Sequence, residues 1–285
     1  PLVQVIDRIA VWRKTLEAER AAGRVVGLVP TMGALHAGHA ALIDRAAAEC
    51  DVVGVTVFVN PLQFAGGEDF DAYPRPLEHD EAVAAAHGAS YVFAPSVREM
   101  YPRPVETVVA VPPLSARWDG EARPGHFDGV ATVVTKLLAQ AAPCRAYFGE
   151  KDYQQLCIVR RLVADLDLPA EIVPCPTVRD ADGLALSSRN AYLTAEERAV
   201  APLLYRALES GASVLRRGGA PDDSRRTMHE LLGSEPRFTL IYAEPVDPGT
   251  LEPLRAPLPA GGTARVLAAA RLGHARLIDN LGVTR

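Results

Sequence analysis

The chain has 285 residues, of which 48% are hydrophobic and 23% charged, a mixture typical of a globular protein with one large or two modest domains. Its formal net charge of −5 argues against nucleic acid as the main partner, because proteins that hold phosphate backbones usually carry a basic surface. No stretch reaches the roughly 20 apolar residues of a membrane span, and neither an apolar signal region nor zinc-type cysteine spacing is present. We therefore expect a cytoplasmic protein that has no membrane partner.

Short apolar runs alternate with helical patterns over the first two thirds of the chain. The patterns predict strands over 24–29, 51–60, 90–94, 145–149 and 171–173, and helices over 34–49, 77–87, 130–141 and 154–167. The run 51–60 is almost continuously apolar, as is typical of a strand buried on both faces of a parallel sheet. This alternation favours an α/β fold with a Rossmann-like, doubly wound parallel sheet and ligands at the carboxyl ends of its strands.

The pattern changes after residue 176. Thr194 and Glu197 form a capping-box sequence that predicts a helix to about Arg217, and a shorter helix follows over 224–232. Strands are predicted over 238–246, 264–271 and 275–279. We therefore expect a Rossmann-like domain over 1–176 and a smaller C-terminal α+β domain over 177–285.

A His-x-Gly-His sequence follows the first predicted strand and lies in the first turn of a helix. Its three-residue spacing places the imidazoles of His36 and His39 on one face. Unpaired N–H groups and the helix dipole favour an anion there, and Gly38 allows it to approach the backbone. We expect the two side chains to stabilise charge on phosphate oxygens. Spacing alone leaves open a pair of capping or surface histidines and, less readily, a zinc site.

Two further segments follow predicted strands. The amides of Asn60 and Gln63 can bind oxygens of a small ligand, although Asn60-Pro61 is also ordinary turn chemistry. Gly149 allows close approach of a ligand, and Lys151 supplies a cation suited to phosphate. Gln155 lies four residues beyond Lys151, so both can share one helix face, although a cap on a solvated face remains open.

Other candidates lie in loops. Ser187, Ser188 and Arg189 can gather phosphate oxygens, although serine-rich loops are common. His126 either contacts substrate or orders a loop, and we favour the loop role. Three carboxylates are either outer magnesium ligands or plain surface charges: Asp69, Asp71 and Asp80.

Six segments together resemble the pantoate–β-alanine ligase family. They are PTMGALHAGH (30–39), VFVNPLQF (57–64), DAYPRPLEHD (71–80), GHFDGVATVV (125–134), FGEKDYQQL (148–156) and VRDADGLALSSRNAYL (178–193). They occur in the family's order and cover the chain from about residue 24 to 193, whereas the final third fits more loosely through 268–273 and 277–280. One His-x-Gly-His alone indicates only a broader nucleotidyltransferase superfamily, but the full series is specific.

The resemblance implies ATP-dependent joining of (R)-pantoate to β-alanine, with release of AMP and pyrophosphate. It implies that the pantoate carboxylate attacks Mg²⁺-ATP to form a pantoyl adenylate, and that the β-alanine amine then attacks the activated carbonyl. The first domain would bind nucleotide and pantoate, the second would act as a lid, and the enzyme would be a homodimer whose partners are small-molecule substrates.

The resemblance also implies roles for particular residues. Catalytic roles fall on His36, His39, Lys151, Ser187, Ser188 and Arg189. ATP contacts fall on Met32, Gly33, Ala34, Leu35, His36, Ala37, Gly38, His39, Gly149, Glu150, Lys151, Asp152, Val178, Leu186, Ser187, Ser188 and Arg189. Gln63 and Gln155 would hold pantoate, Gln63 also lies near β-alanine, and we add Asn60 and His126 to the predicted substrate site.

Three qualifications come from the residues themselves. The family role of His39 is proton donor, but pyrophosphate leaving with magnesium hardly needs a proton, so we expect mainly electrostatic stabilisation. Leu186 stands where many relatives have methionine, a swap that should preserve adenine packing. His79 lies in a stretch that is often more acidic, so we assign no protein ligand to the metal and expect the ATP phosphates to carry it.

Two other functions remain open at this stage. A cytidylyl- or adenylyltransferase that keeps the nucleotide on its product would share the histidine motif but should lack the paired glutamines Gln63 and Gln155. A nucleotide-binding regulator without turnover would be expected to have lost catalytic side chains, and His36, His39 and Lys151 are all present.

Overall fold

The computed structural model describes residues 3–64, 70–71 and 73–285, and the chain divides into two compact units. The first unit comprises residues 1–116, 120–149 and 155–176, and the second comprises 117–119, 150–154 and 177–285. The segment around Lys151 thus belongs to the second unit, although it precedes residue 177. None of the described helices is both long and apolar enough to cross a membrane.

The first unit is built on parallel strands with helices between them. Its strands are β1 (Gln4–Ile6), β2 (Val26–Thr31), β3 (Val52–Val57), β4 (Tyr91–Phe93), β5 (Cys144–Gly149) and β6 (Ala170–Cys175). The helices along this part of the chain are α1 (Ile9–Ala21), α2 (Ala37–Glu49), α3 (Leu77–Ala86), α4 (Val97–Met100), α5 (Pro112–Ser115), α6 (Asp119–Ala122), α7 (His126–Ala141) and α8 (Tyr153–Asp165). The predicted strands and helices are confirmed to within a few residues, while β1 and α1 precede the first element that we predicted.

The strand order β1-β4-β3-β2-β5-β6 confirms the predicted doubly wound sheet, and every neighbouring pair is parallel. From β2 the chain adds β3 and β4 on one side, whereas β5 and β6 lie on the other side. The order therefore reverses between β2 and β5. In open α/β sheets, ligands bind outside the carboxyl ends of the strands at this reversal.

The buried face of α1 explains a glycine in the middle of β3. Trp12 has no exposed surface and stacks on Phe93, with ring centroids 5.1 Å apart and planes inclined by 8°. A Cβ atom at Gly54 would lie only 2.3 Å from the Trp12 ring. Glycine at this position therefore lets the indole cover the sheet.

The second unit combines an antiparallel sheet with helices. Its helices are α9 (Ala195–Val200), α10 (Leu203–Arg216) and α11 (Pro221–Gly233), and its strands are β7 (Phe238–Val246), β8 (Thr263–Leu272) and β9 (Ala275–Thr284), paired in the order β7-β8-β9. Leu208 and Leu215 of α10 join Ala268 and Ala270 of β8 in one buried cluster. The small alanines of the sheet are thus combined with the larger leucines of the helix.

Two predicted boundaries in the second unit are wrong. The helix that begins after Thr194 does not continue to Arg217 but ends at Val200, and a second helix begins at Leu203. Pro202, which has no backbone N–H, lies at the interruption. Strand β9 continues to Thr284 rather than ending at 279, because its pairing with β8 runs unbroken to Thr263.

Candidate active site

The N-terminus of α2 lies at the carboxyl end of β2, next to the reversal of strand order. His36 is the N-cap residue of this helix, and its Nδ1 accepts the backbone N–H of Gly38 at 3.1 Å. His39 returns the interaction, since its Nδ1 accepts the backbone N–H of His36 at 3.3 Å. The capping alternative from the sequence is therefore confirmed, and it holds both rings, with centroids 4.2 Å apart, at a helix terminus that favours anions.

The reciprocal capping fixes the tautomer of both histidines. A nitrogen that accepts a backbone N–H carries no proton, so the proton of each neutral ring lies on Nε2. In the neutral ring Nε2–H is therefore the hydrogen-bond donor of each histidine.

A buried carboxylate shapes the loop that leads into α2. Asp80 has no exposed surface, and its two oxygens accept the backbone N–H groups of Ala34 at 3.0 Å and Leu35 at 2.7 Å. Its neighbour His79 contacts the carbonyl oxygen of Leu35 at 3.1 Å. The interpretation of Asp80 as a surface charge is wrong, because the carboxylate is buried and bonded to the loop, whereas a role as an outer magnesium ligand stays a prediction.

Gly33 in this loop has a left-handed backbone with φ of +87°, which glycine adopts without steric cost. A Cβ atom at this position would lie 2.8 Å from Asp80 Oδ2 and 2.9 Å from Val57 Cγ1. The loop before α2 therefore requires glycine at 33 both for its backbone angle and for the approach of the Asp80 carboxylate.

A second group of polar side chains lies after β3. Gln63 is 9% exposed, its Oε1 accepts Nδ2–H of Asn60 at 3.1 Å, and its Nε2 lies 3.0 Å from the sulfur of Met32. Asn60 is 1% exposed and also donates to the carbonyl of Gly129 at 3.1 Å. Its Oδ1 accepts the hydroxyl of Tyr101 at 2.9 Å. Asn60 is thus occupied within the protein and orients the amide of Gln63.

His126 and Gly129 at the start of α7 support the main chain of the same turn. The ring of His126 contacts the carbonyl oxygen of Gln63 at 2.9 Å and Nη1 of Arg123 at 3.0 Å. These contacts agree with the loop-ordering role that we favoured, and contact with substrate stays a prediction. A Cβ atom at Gly129 would lie 2.2 Å from the carbonyl oxygen of Leu62. Sequence reasoning missed this glycine, although its place at the edge of a predicted helix was a signal.

Strand β9 holds the segment that carries Lys151. Asn280 is 4% exposed, and its Nδ2 donates to the carbonyl oxygens of Glu150 at 2.9 Å and Lys151 at 2.8 Å. Arg265 bonds both the Oε2 of Glu150 at 2.6 Å and the Oδ1 of Asn280 at 3.0 Å. The Lys151 ammonium lies 3.4 Å from Oδ1 of Asp152. The turn over 150–151 is therefore fixed by the second unit, and no sequence pattern indicated the part played by Asn280.

The loop over 185–190 and the first residues of β9 line a cleft, which we call the second-unit cleft. Its charged lining consists of Lys151, Arg189, Arg276 and Asp279. The Asp279 carboxylate is compensated by Arg179, which bonds both of its oxygens at 2.6 and 2.9 Å. Positive charge therefore dominates the cleft, as an anionic ligand requires.

Four other predicted site residues lie within the described part of the chain: Val178, Leu186, Ser187 and Gln155. Ser187 lines the second-unit cleft and caps the turn over 188–192, where its Oγ accepts the N–H of Arg189 at 3.2 Å. The N–H of Leu186 donates to the carbonyl of Val178 at 2.9 Å, so these two predicted ATP contacts are neighbours. Gln155 lies in the first turn of α8 and is half-buried.

The candidate magnesium ligands do not form a site among the described residues. No group of three or more His, Cys, Asp or Glu side chains in those parts of the chain is arranged to hold a metal ion. Asp71 is exposed, and Asp69 lies outside the described residues.

The fold and this geometry define the class of the protein: an α/β protein with a helix N-terminus, capped by two histidines, where the strand order reverses. The sequence matches the model of the pantoate–β-alanine ligase family over residues 4–282. The pantothenate synthetase of Rhizobium rhizogenes is 50% identical over 284 residues, which cover 99% of this chain and 97% of that protein. The chain belongs to the pantoate–β-alanine ligase family.

Solved structures agree with this assignment. The crystal structure of pantothenate synthetase from Thermus thermophilus has a TM-score of 0.91 and 51% identity, and covers 98% of this chain and 99% of that one. A pantoate–β-alanine ligase from Francisella tularensis has a TM-score of 0.79 and 32% identity, covering 98% and 97% of the two chains. The crystal structure of that enzyme is of a complex with β,γ-ATP and β-alanine.

Proposed function

We propose that this ligase condenses (R)-pantoate with β-alanine through a pantoyl adenylate and releases AMP and pyrophosphate. The observation that carries the proposal is the pair of histidines His36 and His39, fixed by reciprocal caps at the N-terminus of α2. Such a terminus binds phosphate, and two Nε2–H donors add hydrogen bonds to its oxygens. The Francisella relative, which binds β,γ-ATP and β-alanine, supports ATP and β-alanine as substrates here.

In the first step a carboxylate oxygen of pantoate attacks the α-phosphorus of ATP, and the bond from this phosphorus to the pyrophosphate oxygen breaks. Negative charge grows on the phosphate oxygens as this happens. His36 and His39 stabilise that charge as neutral Nε2–H donors, a role that needs no transfer of their protons. The tautomer fixed by the capping bonds supports electrostatic stabilisation over proton donation by His39.

Gln63 binds pantoate in this proposal, and Gln155 is a second amide for the same substrate. The support for Gln63 is the frame around it, in which Asn60 holds its side-chain oxygen and His126 contacts its main-chain carbonyl. An amide that is held in this way loses little rotational freedom on binding. In this proposal Asn60 belongs to the substrate site because it orients the amide of Gln63.

The second unit contributes cations for the phosphates. Lys151 and Arg189 line the second-unit cleft, and Asn280 fixes the main chain of Lys151. In this proposal Mg²⁺ is held by the triphosphate oxygens, since this ion commonly keeps phosphate and water ligands. When bound there, the ion neutralises part of the phosphate charge.

In the second step the amine of β-alanine attacks the carbonyl carbon of the pantoyl adenylate. The bond from this carbon to the bridging oxygen breaks, AMP leaves with that oxygen, and the ammonium proton passes to solvent or buffer. The products are therefore pantothenate and an AMP that has gained one oxygen from pantoate.

The transfer of this oxygen provides the test. Pantoate labelled with ¹⁸O in its carboxylate is incubated with ATP, magnesium and the enzyme, with and without β-alanine, and the products are identified by mass. We expect pantothenate only when β-alanine is present, together with AMP that carries one ¹⁸O. ADP with labelled inorganic phosphate would show an acyl-phosphate route instead, and a stable adenylylated product would support a nucleotidyltransferase.

We also propose that the enzyme is a cytoplasmic homodimer. None of its four cysteines forms a disulfide, as is usual in a reducing compartment. The segment 102–110 of the first unit is almost entirely exposed and includes Val108 at 61% exposure. Exposed apolar side chains such as that of Val108 can mark a surface that a second subunit covers. Light scattering coupled to gel filtration tests the dimer, and a monomer at micromolar concentration would contradict it.

A further inference from the structure

Arg276 is a third cation of the second-unit cleft, and neither the sequence patterns nor the family resemblance assigned it a role. It lies near the start of β9 and lines the cleft together with Lys151 and Arg189. Its side chain is 16% exposed, so the guanidinium is largely removed from bulk water. A charged group in such a position needs partners in the protein or in a ligand.

The protein provides one such partner and holds it firmly. Asp119 is buried, and its Oδ1 accepts Nη2–H of Arg276 in an ion pair. The same oxygen accepts the hydroxyl of Tyr242 at 2.7 Å, while the N–H of Asp119 donates to Oε1 of Gln154 at 3.1 Å. Burial raises the pKa of Tyr242 well above its usual range, so the phenol stays protonated and continues to donate. Asp119 is therefore a fixed anchor for one end of the guanidinium.

The rest of the guanidinium is available to a ligand. Within the described parts of the chain, the carboxylate partner of Arg276 is Asp119, which takes a single nitrogen, Nη2. The hydroxyl of Tyr242 bonds the same carboxylate oxygen and is also a hydrogen-bond partner of the Arg276 side chain. An arginine that is anchored at one nitrogen and lines a positive cleft is well suited to a planar, multidentate contact with phosphate.

The other charges of the cleft favour the same class of ligand. The carboxylate of Asp279 faces the cleft but is already neutralised by Arg179, which bonds both of its oxygens. Two further cations line the cleft besides Arg276: Arg189 and Lys151, whose ammonium lies 3.4 Å from Oδ1 of Asp152. Among the described residues, the guanidinium of Arg189 has no carboxylate partner. Three cations within one cleft match a highly charged anion better than a single phosphate group.

We infer that Arg276 binds the β- and γ-phosphates of ATP and the pyrophosphate formed from them, with Asp119 and Tyr242 as its positioning residues. The inference rests on the proposed function in one respect, since pyrophosphate is a product only if the reaction proceeds by adenylation. Affinity for inorganic pyrophosphate itself, however, is a property of the cleft that can be measured without turnover.

The test compares the two fragments into which adenylation divides ATP. Inorganic pyrophosphate and AMP are each titrated calorimetrically, with magnesium present, into the wild-type protein and into Arg276→Met. We expect pyrophosphate to bind at least about tenfold more weakly to the variant, as loss of a charge-assisted contact implies. AMP lacks the β- and γ-phosphates, so its affinity should not change. A general structural defect would weaken both ligands.

Arg255→Met is the matched control. Arg255 lies in the second unit, is exposed and does not line the cleft, so its replacement removes the same charge from the same unit. It should leave pyrophosphate affinity at the wild-type value. If Arg276→Met and Arg255→Met bind pyrophosphate equally well, the assignment of Arg276 is overturned.

Arg276→Met leaves the buried Asp119 carboxylate without its cation, which can impair folding. A comparison of Asp119→Asn with the double variant Asp119→Asn/Arg276→Met avoids this problem. The double variant buries no unpaired charge at these two positions, and the hydroxyl of Tyr242 can still donate to the amide oxygen at position 119. Weaker pyrophosphate binding by the double variant than by Asp119→Asn supports the inference, and equal binding overturns it. If the wild-type protein forms pantothenate but no labelled AMP, the proposed adenylate route is wrong. The pyrophosphate titration still decides the role of Arg276 in that case.

Discussion

Replacement of Gly129 by alanine tests the packing that fixes the turn carrying Gln63. The new Cβ atom would lie 2.2 Å from the carbonyl oxygen of Leu62 and 2.6 Å from the backbone nitrogen of Gln63, whereas ordinary contacts begin near 3.4 Å. Because the obstructing atoms are backbone, the turn or α7 must move by about 1 Å. A displacement of this size at a substrate-positioning group costs roughly 100-fold in rate.

The effect on stability should be small by comparison. Overpacking costs about 1–3 kcal/mol, and the better helix propensity of alanine returns about 1 kcal/mol. A net loss of about 1 kcal/mol corresponds to a fall in Tm of about 3 °C for a chain of this size. Gly129→Ala should therefore remain folded at assay temperature, so that a loss of activity reports the position of Gln63.

The assay measures the release of AMP while pantoate is varied at saturating ATP and β-alanine. We expect kcat/KM for pantoate to fall roughly 100-fold and KM for ATP to change little. Gly233→Ala is the control, since Gly233 is also helical and its added Cβ would meet nothing within 4 Å. Folded Gly129→Ala with wild-type kcat/KM for pantoate would refute the reasoning.

Three other predictions follow from the site and the core. Asp80→Asn replaces one buried acceptor by a donor that faces a backbone N–H. The free energy of unfolding should therefore fall by about 1–3 kcal/mol, and ATP affinity should weaken. An unchanged midpoint of denaturant unfolding would contradict the anchoring role of Asp80. His39→Ala should slow adenylate formation about 100-fold in single-turnover experiments and leave pantoate affinity nearly unchanged, and a normal rate would exclude charge stabilisation by His39. Burial raises the pKa of the Cys144 thiol to about 12, so iodoacetamide at pH 8 should alkylate it only after unfolding, and peptide mapping that finds it modified in native protein would contradict this. Because folding raises this pKa, the protonated Cys144 thiol contributes fully to the free energy of unfolding below its unfolded pKa of 9.0. This contribution declines as the pH rises toward 12.

Sequence patterns predicted the regular part of the fold well. Apolar runs located the five strands from β2 to β6, because a buried parallel sheet needs strands that are apolar on both faces. Helical patterns located α2, α3, α7 and α8 but missed the short helices α4, α5 and α6. The short strand β1 and the amphipathic helix α1 were missed, although Trp12 and Leu16 are spaced as on one buried helix face. The predicted helix through Pro202 was wrong because its apolar pattern continues across the interruption.

The sequence by itself determined the family, because the histidine motif, the paired glutamines and the Lys151 segment are specific as a series. Only the tertiary structure decided what each polar side chain does. Asp80 and Leu35 are 45 residues apart, Asn280 and Lys151 are 129 apart, and Arg276 and Asp119 are 157 apart. Whether a buried polar group supports a loop or faces a ligand depends on which partners satisfy its hydrogen bonds, and folding alone brings those partners together.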